Sequence, residues 1–154
     1  MFHTGQAPPL TSEEIESMLR KNSTARICTH NRDGTIHAAP VGYGYVNGQI
    51  VVLSITKSRK TRNIRRNSDV TVLVDTSDPL RGILIYGKAE LDCDRVYEQA
   101  TEVIEKWGVP KEKLQRFTKD YLDAYESVVV RITPKQIISF DYDEEWKDFL
   151  KTHL

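Results

Sequence analysis

Apolar and polar positions divide the chain into a short helical opening, a long β-rich middle and a late helical interruption. Thr11 stands three residues before Glu14, the spacing of a capping box, and Ile15, Met18 and Leu19 follow at helical intervals, which predicts one short amphipathic helix. From Ala25 the period shortens to two. Residues 25–30 are expected to form a strand, Asn31-Arg32-Asp33-Gly34 a turn and residues 36–46 a second strand. Asn47-Gly48 accepts the positive φ angles of a type I′ hairpin, so the strand over residues 49–56 runs antiparallel to its predecessor. A basic segment at 57–67 separates these from a strand at 70–74, a loop through Asp78-Pro79 and a strand over 82–91. Asp94 is placed to cap a helix carrying Val96, Tyr97, Ala100, Val103, Ile104 and Trp107, which Gly108 and Pro110 end; Tyr97 and Trp107 are expected in the core. A second helix is predicted over 111–124, then strands at 128–133 and, beyond Pro134, at 137–142. The tail, 144–154, has Trp146, Phe149 and Leu150 at helical spacing, as a docked helix or a frayed end would.

Five strands come before any helix long enough for a parallel crossover, so the sheet is expected to be largely antiparallel. Short strands joined as a meander favour a closed barrel, since closure removes exposed edges. The expected class is mainly β with peripheral α, in one domain spanning 1–154.

Composition narrows the partners. Lys plus Arg and Asp plus Glu each number 22, so no overall field recruits nucleic acid or an anionic membrane. Cys28 and Cys93 lie far apart with no metal or disulfide pattern, and reduced thiols are expected. The opening residues lack the basic start and apolar run of a signal peptide, and no stretch approaches the roughly 20 apolar residues of a membrane helix. A soluble, cytoplasmic protein is the expectation.

Local charge changes the picture. Between Thr35 and Ser68 there is no Asp or Glu, yet Lys57, Arg59, Lys60, Arg62, Arg65 and Arg66 lie there. A charge run is usually a solvated helix face. Here, however, Ser58 sits where a strand ends and a helix begins, and a helix start already carries unpaired N–H groups and partial positive charge. Arg59 and Lys60 in that first turn are unfavourable unless an anion is present, and a phosphate would satisfy hydroxyl, helix terminus and cations together. In Val41-Gly42-Tyr43-Gly44-Tyr45 the two glycines share one strand face, which either admits a flat ligand or relieves barrel curvature. Pro40 lacks a donor and belongs at an edge or bulge.

The ordered set Asp33-Gly34, Ala39-Pro40-Val41, Ser54-Ile55-Thr56, Ser58-Arg59-Lys60, Arg65-Arg66-Asn67 and Gly87-Lys88-Ala89-Glu90 resembles the FMN-binding split-barrel family related to pyridoxamine 5'-phosphate oxidase. The resemblance implies a six-stranded antiparallel split β-barrel of Greek-key type, with an N-terminal helix and two helices inserted before the last strands. It implies a homodimer with FMN at the subunit interface, and hydride or electron transfer to a small molecule. By that similarity Arg59 and Lys60 hold the phosphate, helped by Ser54, Thr56 and Ser58, while the backbone around Ala39, Pro40, Val41, Gly42 and Tyr43 lies along the ring. Gly82 stands where relatives often place a polar flavin contact, which glycine cannot make. Residues 143–154 contain Trp146 but no arginine, so the tryptophan and arginine signature of authentic pyridoxamine-phosphate oxidases is missing and vitamin B6 oxidation is not expected. Some relatives hold a deazaflavin or haem, so a non-catalytic carrier of flavin, deazaflavin or haem is the alternative.

Other patterns carry less. His30 and His37 flank the first hairpin and could face one another, but no third ligand is evident, and surface histidines are the simpler reading. The carboxylates at Asp92, Asp94, Asp141, Asp143, Glu144 and Glu145 suit caps and solvated ends. Nucleic-acid binding through Arg62, Arg65 and Arg66 lacks the interleaved aromatics that stacking needs.

Overall fold

The computed structural model describes residues 7–154. Its elements are α1 (Ser12–Lys21), β1 (Thr24–His30), β2 (Ile36–Val46), β3 (Gln49–Ile55), α2 (Arg59–Arg66), β4 (Asp69–Ser77), β5 (Leu80–Asp92), α3 (Val96–Glu105), α4 (Lys111–Ala124), β6 (Ser127–Asp141) and α5 (Tyr142–His153). The strands close into one barrel in the order β1-β2-β3-β6-β5-β4, every pairing antiparallel. It consists of two three-stranded meanders, β1–β2–β3 and β4–β5–β6, sealed by β1 against β4 and β3 against β6. The chain is thus not one continuous meander, because α2 carries it from β3 across to the far side of β1.

The core is two-layered. Inside the barrel Ile27, Tyr43, Ile50, Val52, Val72, Val74, Ile83, Ile85, Val130 and Ile132 are buried, and Leu19 of α1 closes one end. The Tyr43 hydroxyl donates to the Leu19 carbonyl (2.7 Å), so this large side chain enters the core with its polar end satisfied. Outside, Val51 and Leu53 of β3 and Val129 of β6 pack against Ala100, Val103, Ile104 and Leu114 of α3 and α4. Strands apolar on both faces are therefore the ones the helices cover.

The local signals behave unevenly. The Thr11 capping box forms with both of its hydrogen bonds. Asn47 and Gly48 both adopt positive φ, at 50° and 76°, as a type I′ turn requires. The two final strands expected on either side of Pro134 are instead one strand, β6, with a register shift opposite Tyr86 and Gly87 where the proline lies. A bulge accommodates a residue that has no N–H to give to the ladder. Asp94 does not cap α3. Arg95 takes the N-cap position in the left-handed region, φ 52°, while the Asp94 N–H bonds to Asp92 Oδ1 (2.8 Å). Tyr97 and Trp107 are not core residues, being 40% and 38% exposed. The tail is helical, and α5 begins at Tyr142, which was expected in a strand. Asp141 caps it, accepting from the Glu144 N–H (3.1 Å). No helix among the described residues is long and apolar enough to cross a membrane.

A candidate anion and cofactor site at the split in the barrel

β2 pairs with β1 along its first half, from Ile36 to Gly42, but with β3 only from Tyr43 to Val46. The far edge of residues 36–42 has no strand partner among the described residues, and the barrel is split there. The Tyr43 N–H donates to the Ser23 carbonyl (3.1 Å), towards the β1 side, so strand alternation turns the main chain of Ala38, Pro40 and Gly42 to the open edge. Side chains alternate too. Ala39, Val41 and Tyr43 point into the barrel, whereas Ala38, Pro40, Gly42 and Gly44 face outward. Of the five β2 residues expected along a ring, Ala39, Val41 and Tyr43 thus turn their side chains into the barrel and their main-chain polar groups to β1, and only the backbone of Pro40 and Gly42 lies at the split.

The outward glycine face is only partly open. A Cβ at Gly42 would collide with the Trp107 indole, and one at Gly44 would lie 3.5 Å from Val103 Cγ2. Both glycines let α3 and the turn after it pack on the barrel. Gly82 has a similar reason: a Cβ there would collide with the Phe140 ring, its cross-strand neighbour.

Opposite the open edge, β3 ends in Ser54 and Ile55 and hands over to α2. Ser54, Ser58 and Thr61 bring three hydroxyl oxygens together, with Ser54 Oγ 2.8 Å from Thr61 Oγ1 and 3.2 Å from Ser58 Oγ, and Ser58 Oγ 3.0 Å from Thr61 Oγ1. Ser58 is the N-cap of α2, accepting from the Thr61 N–H (3.4 Å). Thr61 also donates to the Ile55 carbonyl (3.0 Å), which locks the cap onto the end of β3. Thr56 is turned elsewhere, its hydroxyl bonding to the Glu126 carbonyl (3.0 Å).

Charge is what distinguishes α2. The other four helices each place an acidic residue in the first turn, complementing the helix dipole, whereas α2 has none and begins Arg59-Lys60. Lys60 is half-buried, and desolvation holds its ammonium below the usual lysine pKa. Arg59, Lys60 and Arg62 form no ion pair or hydrogen bond among the described residues.

The sequence did not point to the groove beside this cap. It has a volume of about 820 Å³ and runs between α2 and the β1–β2 turn, lined by Arg32, Arg59, Arg62, Arg65 and Arg66 with Asn31, Asp33, Thr35 and Asn63. Asn63 is buried and joins its walls, donating to Thr29 Oγ1 (3.1 Å) and Asn31 Oδ1 (2.9 Å). Arg66 spans to the His30 carbonyl (2.7 Å). Asp33, the one carboxylate lining the groove among the described residues, accepts from the Thr35 hydroxyl and N–H, which together with Arg59 hold its carboxyl below the usual range. Residues of the turn could not be assigned to α2 from the chain order, because only the β1–β2 register brings them there.

His30 and His37 do not form a pair. In the β1–β2 register His37 lies opposite Thr29 and His30 opposite Ile36, so the two imidazoles project from opposite faces. No cluster of three His, Cys, Asp or Glu side chains suited to a metal exists among the described residues.

Solved structures with this fold include a conserved hypothetical protein from Mycobacterium tuberculosis, with TM-score 0.76 and 24% identity over 92% of this chain and 90% of that one. An FAD-binding protein from Mesorhizobium loti has TM-score 0.62 and 21% identity, covering 86% and 94%. An F420 reductase has TM-score 0.63 and 19% identity, covering 79% and 94%. At these identities the likeness shows the shared fold alone. No curated protein sequence matches significantly. The family model for pyridoxamine 5'-phosphate oxidase, however, matches residues 11–141, from the α1 cap through the last barrel strand, and the chain belongs to that family.

Proposed function

We propose that this protein binds a phosphate-bearing flavin, FMN, in the split of the barrel and uses it for hydride or electron transfer with a small molecule. The supporting observation is Lys60: a half-buried ammonium that forms no ion pair among the described residues, in the first turn of a helix whose cap gathers three hydroxyls. A phosphate there would neutralise Lys60 and Arg59, accept from Ser54 or Ser58, and meet the free N–H groups of the helix start. The open main chain of Ala38, Pro40 and Gly42 suits the rim of a flat ring. When bound, a flavin supplies the redox chemistry, and the residues of this chain supply placement and charge. Replacing Arg59 and Lys60 together with Ala should weaken FMN binding by several kcal/mol, each charge-assisted hydrogen bond being worth about 1.5–3 kcal/mol. A purified double variant that keeps its full yellow colour would refute the assignment.

The partner in this reading is a second copy of the chain. The outward face of β1, β4, β5 and β6 carries Cys28, Leu73, Leu84, Tyr86 and Ile138, with Tyr86 and Ile138 40% and 38% exposed, an apolar strip that a homodimer would cover.

The arginine groove favours a second cofactor. It shares Arg59 with the phosphate position and runs along α2 to Arg66, which suits a deazaflavin whose side chain carries carboxylates beyond its phosphate. Titration with FMN and with F420 side by side separates the two, since only the second should lose affinity when Arg62 and Arg66 are replaced.

A further inference from the structure

Resting on the flavin reading above, we propose that Trp107 is a positioning residue for the cofactor ring, its indole N–H donating to an acceptor atom on the rim of the ring. Trp107 follows the last turn of α3, where its N–H bonds to the Ile104 carbonyl (2.9 Å) and Gly108 turns the chain at φ 81°. That turn lays the indole on Gly42, the residue at which β2 loses its partner β3, and Nε1 is the indole atom nearest to where a Gly42 Cβ would stand. The ring is held edge-on by Tyr121, with centroids 5.6 Å apart at 69°. Its N–H has no protein acceptor among the described residues, and the side chain is 38% exposed, which leaves that donor available to a bound ring.

The open edge is short of donors. Pro40 has no N–H, so among the described residues Ile36, Ala38 and Gly42 provide the main-chain N–H groups along it. Isoalloxazine and deazaisoalloxazine rims both carry carbonyl oxygens, and an indole N–H at the Gly42 end would meet one. If Trp107 only seals α3 onto β2, its N–H is indifferent to the cofactor.

The chain has two tryptophans, so nitrogen-edited NMR shows two indole N–H resonances, and Trp146→Phe assigns them. On addition of FMN to the full chain, or of F420 in a parallel titration, the Trp107 resonance should move downfield and exchange more slowly with water, while that of Trp146 shifts several-fold less. Trp107→Phe, which keeps a packing ring and loses only the donor, should bind the same cofactor about threefold to tenfold more weakly. If absorbance shows FMN or F420 bound while the Trp107 resonance stays in place, the positioning role is overturned and the flavin reading stands. If neither compound binds at millimolar concentration, both are overturned.

Discussion

Gly42 and Gly82 show how one missing Cβ sets what may lie on the barrel. Each backbone is overlaid by an aromatic ring, Trp107 or Phe140, at a distance no side chain could share. Gly42→Ala should therefore cost about 1–3 kcal/mol by overpacking, with a matching fall in melting temperature, and should perturb the Trp107 environment in near-ultraviolet dichroism. Lys106 carries a different constraint. Its ammonium lies 4.1 Å from the Tyr43 ring centroid and donates to the Leu19 carbonyl (3.2 Å), yet burial, with Arg20 nearby, pushes its pKa down to about 8. The unfolded chain then binds more protons than the folded one between about pH 8 and the ordinary lysine value of about 10.5, so stability rises with pH across that window. Because Lys106 remains partly solvated, the gain should be about 1 kcal/mol. Lys106→Met should flatten that rise in denaturation curves recorded from pH 7 to 10, whereas a wild-type stability that falls from pH 8 to 10 would contradict the assignment.

At the scale of elements, α2 is held by its ends. Its cap is tied to β3 through Ser54, Ser58 and Thr61, and its last turn to β1 through Asn63 and Arg66. The arginines thus stay close together with Asp33 as the one carboxylate lining their groove among the described residues, a repulsion that packing maintains and an anion would relieve. Thr61→Val should cost about 1–2 kcal/mol in denaturant unfolding, because the Ile55 carbonyl loses its hydroxyl donor and the cap loosens. Inorganic phosphate should raise the melting temperature of the wild type, and much less that of the Arg59→Ala/Lys60→Ala double variant. α5 contrasts with α2. It buries no residue completely; Asp141 caps it, the Leu80 N–H donates to Asp143 (2.9 Å), and Arg81 bridges Asp141 (3.0 Å) to Glu14 of α1 (3.3 Å).

Across the whole molecule, closure of the barrel and its split have one origin. β3 pairs with β6 from Ile50 to Ile55 but with β2 only from Gln49 to Val52, so the ring of strands closes while the edge at 36–42 stays open. The site is thus made where the sheet gives up pairing, and the outward apolar strip lies on β1, β4, β5 and β6 beyond the cluster that α3 and α4 cover. If that strip joins two copies, Leu84→Asp should leave the far-ultraviolet spectrum unchanged and convert a dimer to a monomer in sedimentation velocity.

Much of this was legible along the chain, because it depends on neighbours in sequence. The Thr11 cap, the Asn47-Gly48 hairpin, the bounds of α4 and the acid-free basic run are local, and local chemistry decides them. The Ser58 cap, with the Thr61 N–H three residues on, is local for the same reason, whereas the Thr61 hydroxyl meets Ser54 only once β3 and α2 have docked. Pro134 misled because a bulge can absorb a missing donor, and Asp94 because its N–H found Asp92 before α3 began. Strand order, the open edge of β2, the arginine groove and the place of Trp107 on Gly42 all join residues far apart in the chain. Antiparallel pairing allows many registers, and closure selects one by burying Ile27, Tyr43, Val72 and Ile85 on a single inner face.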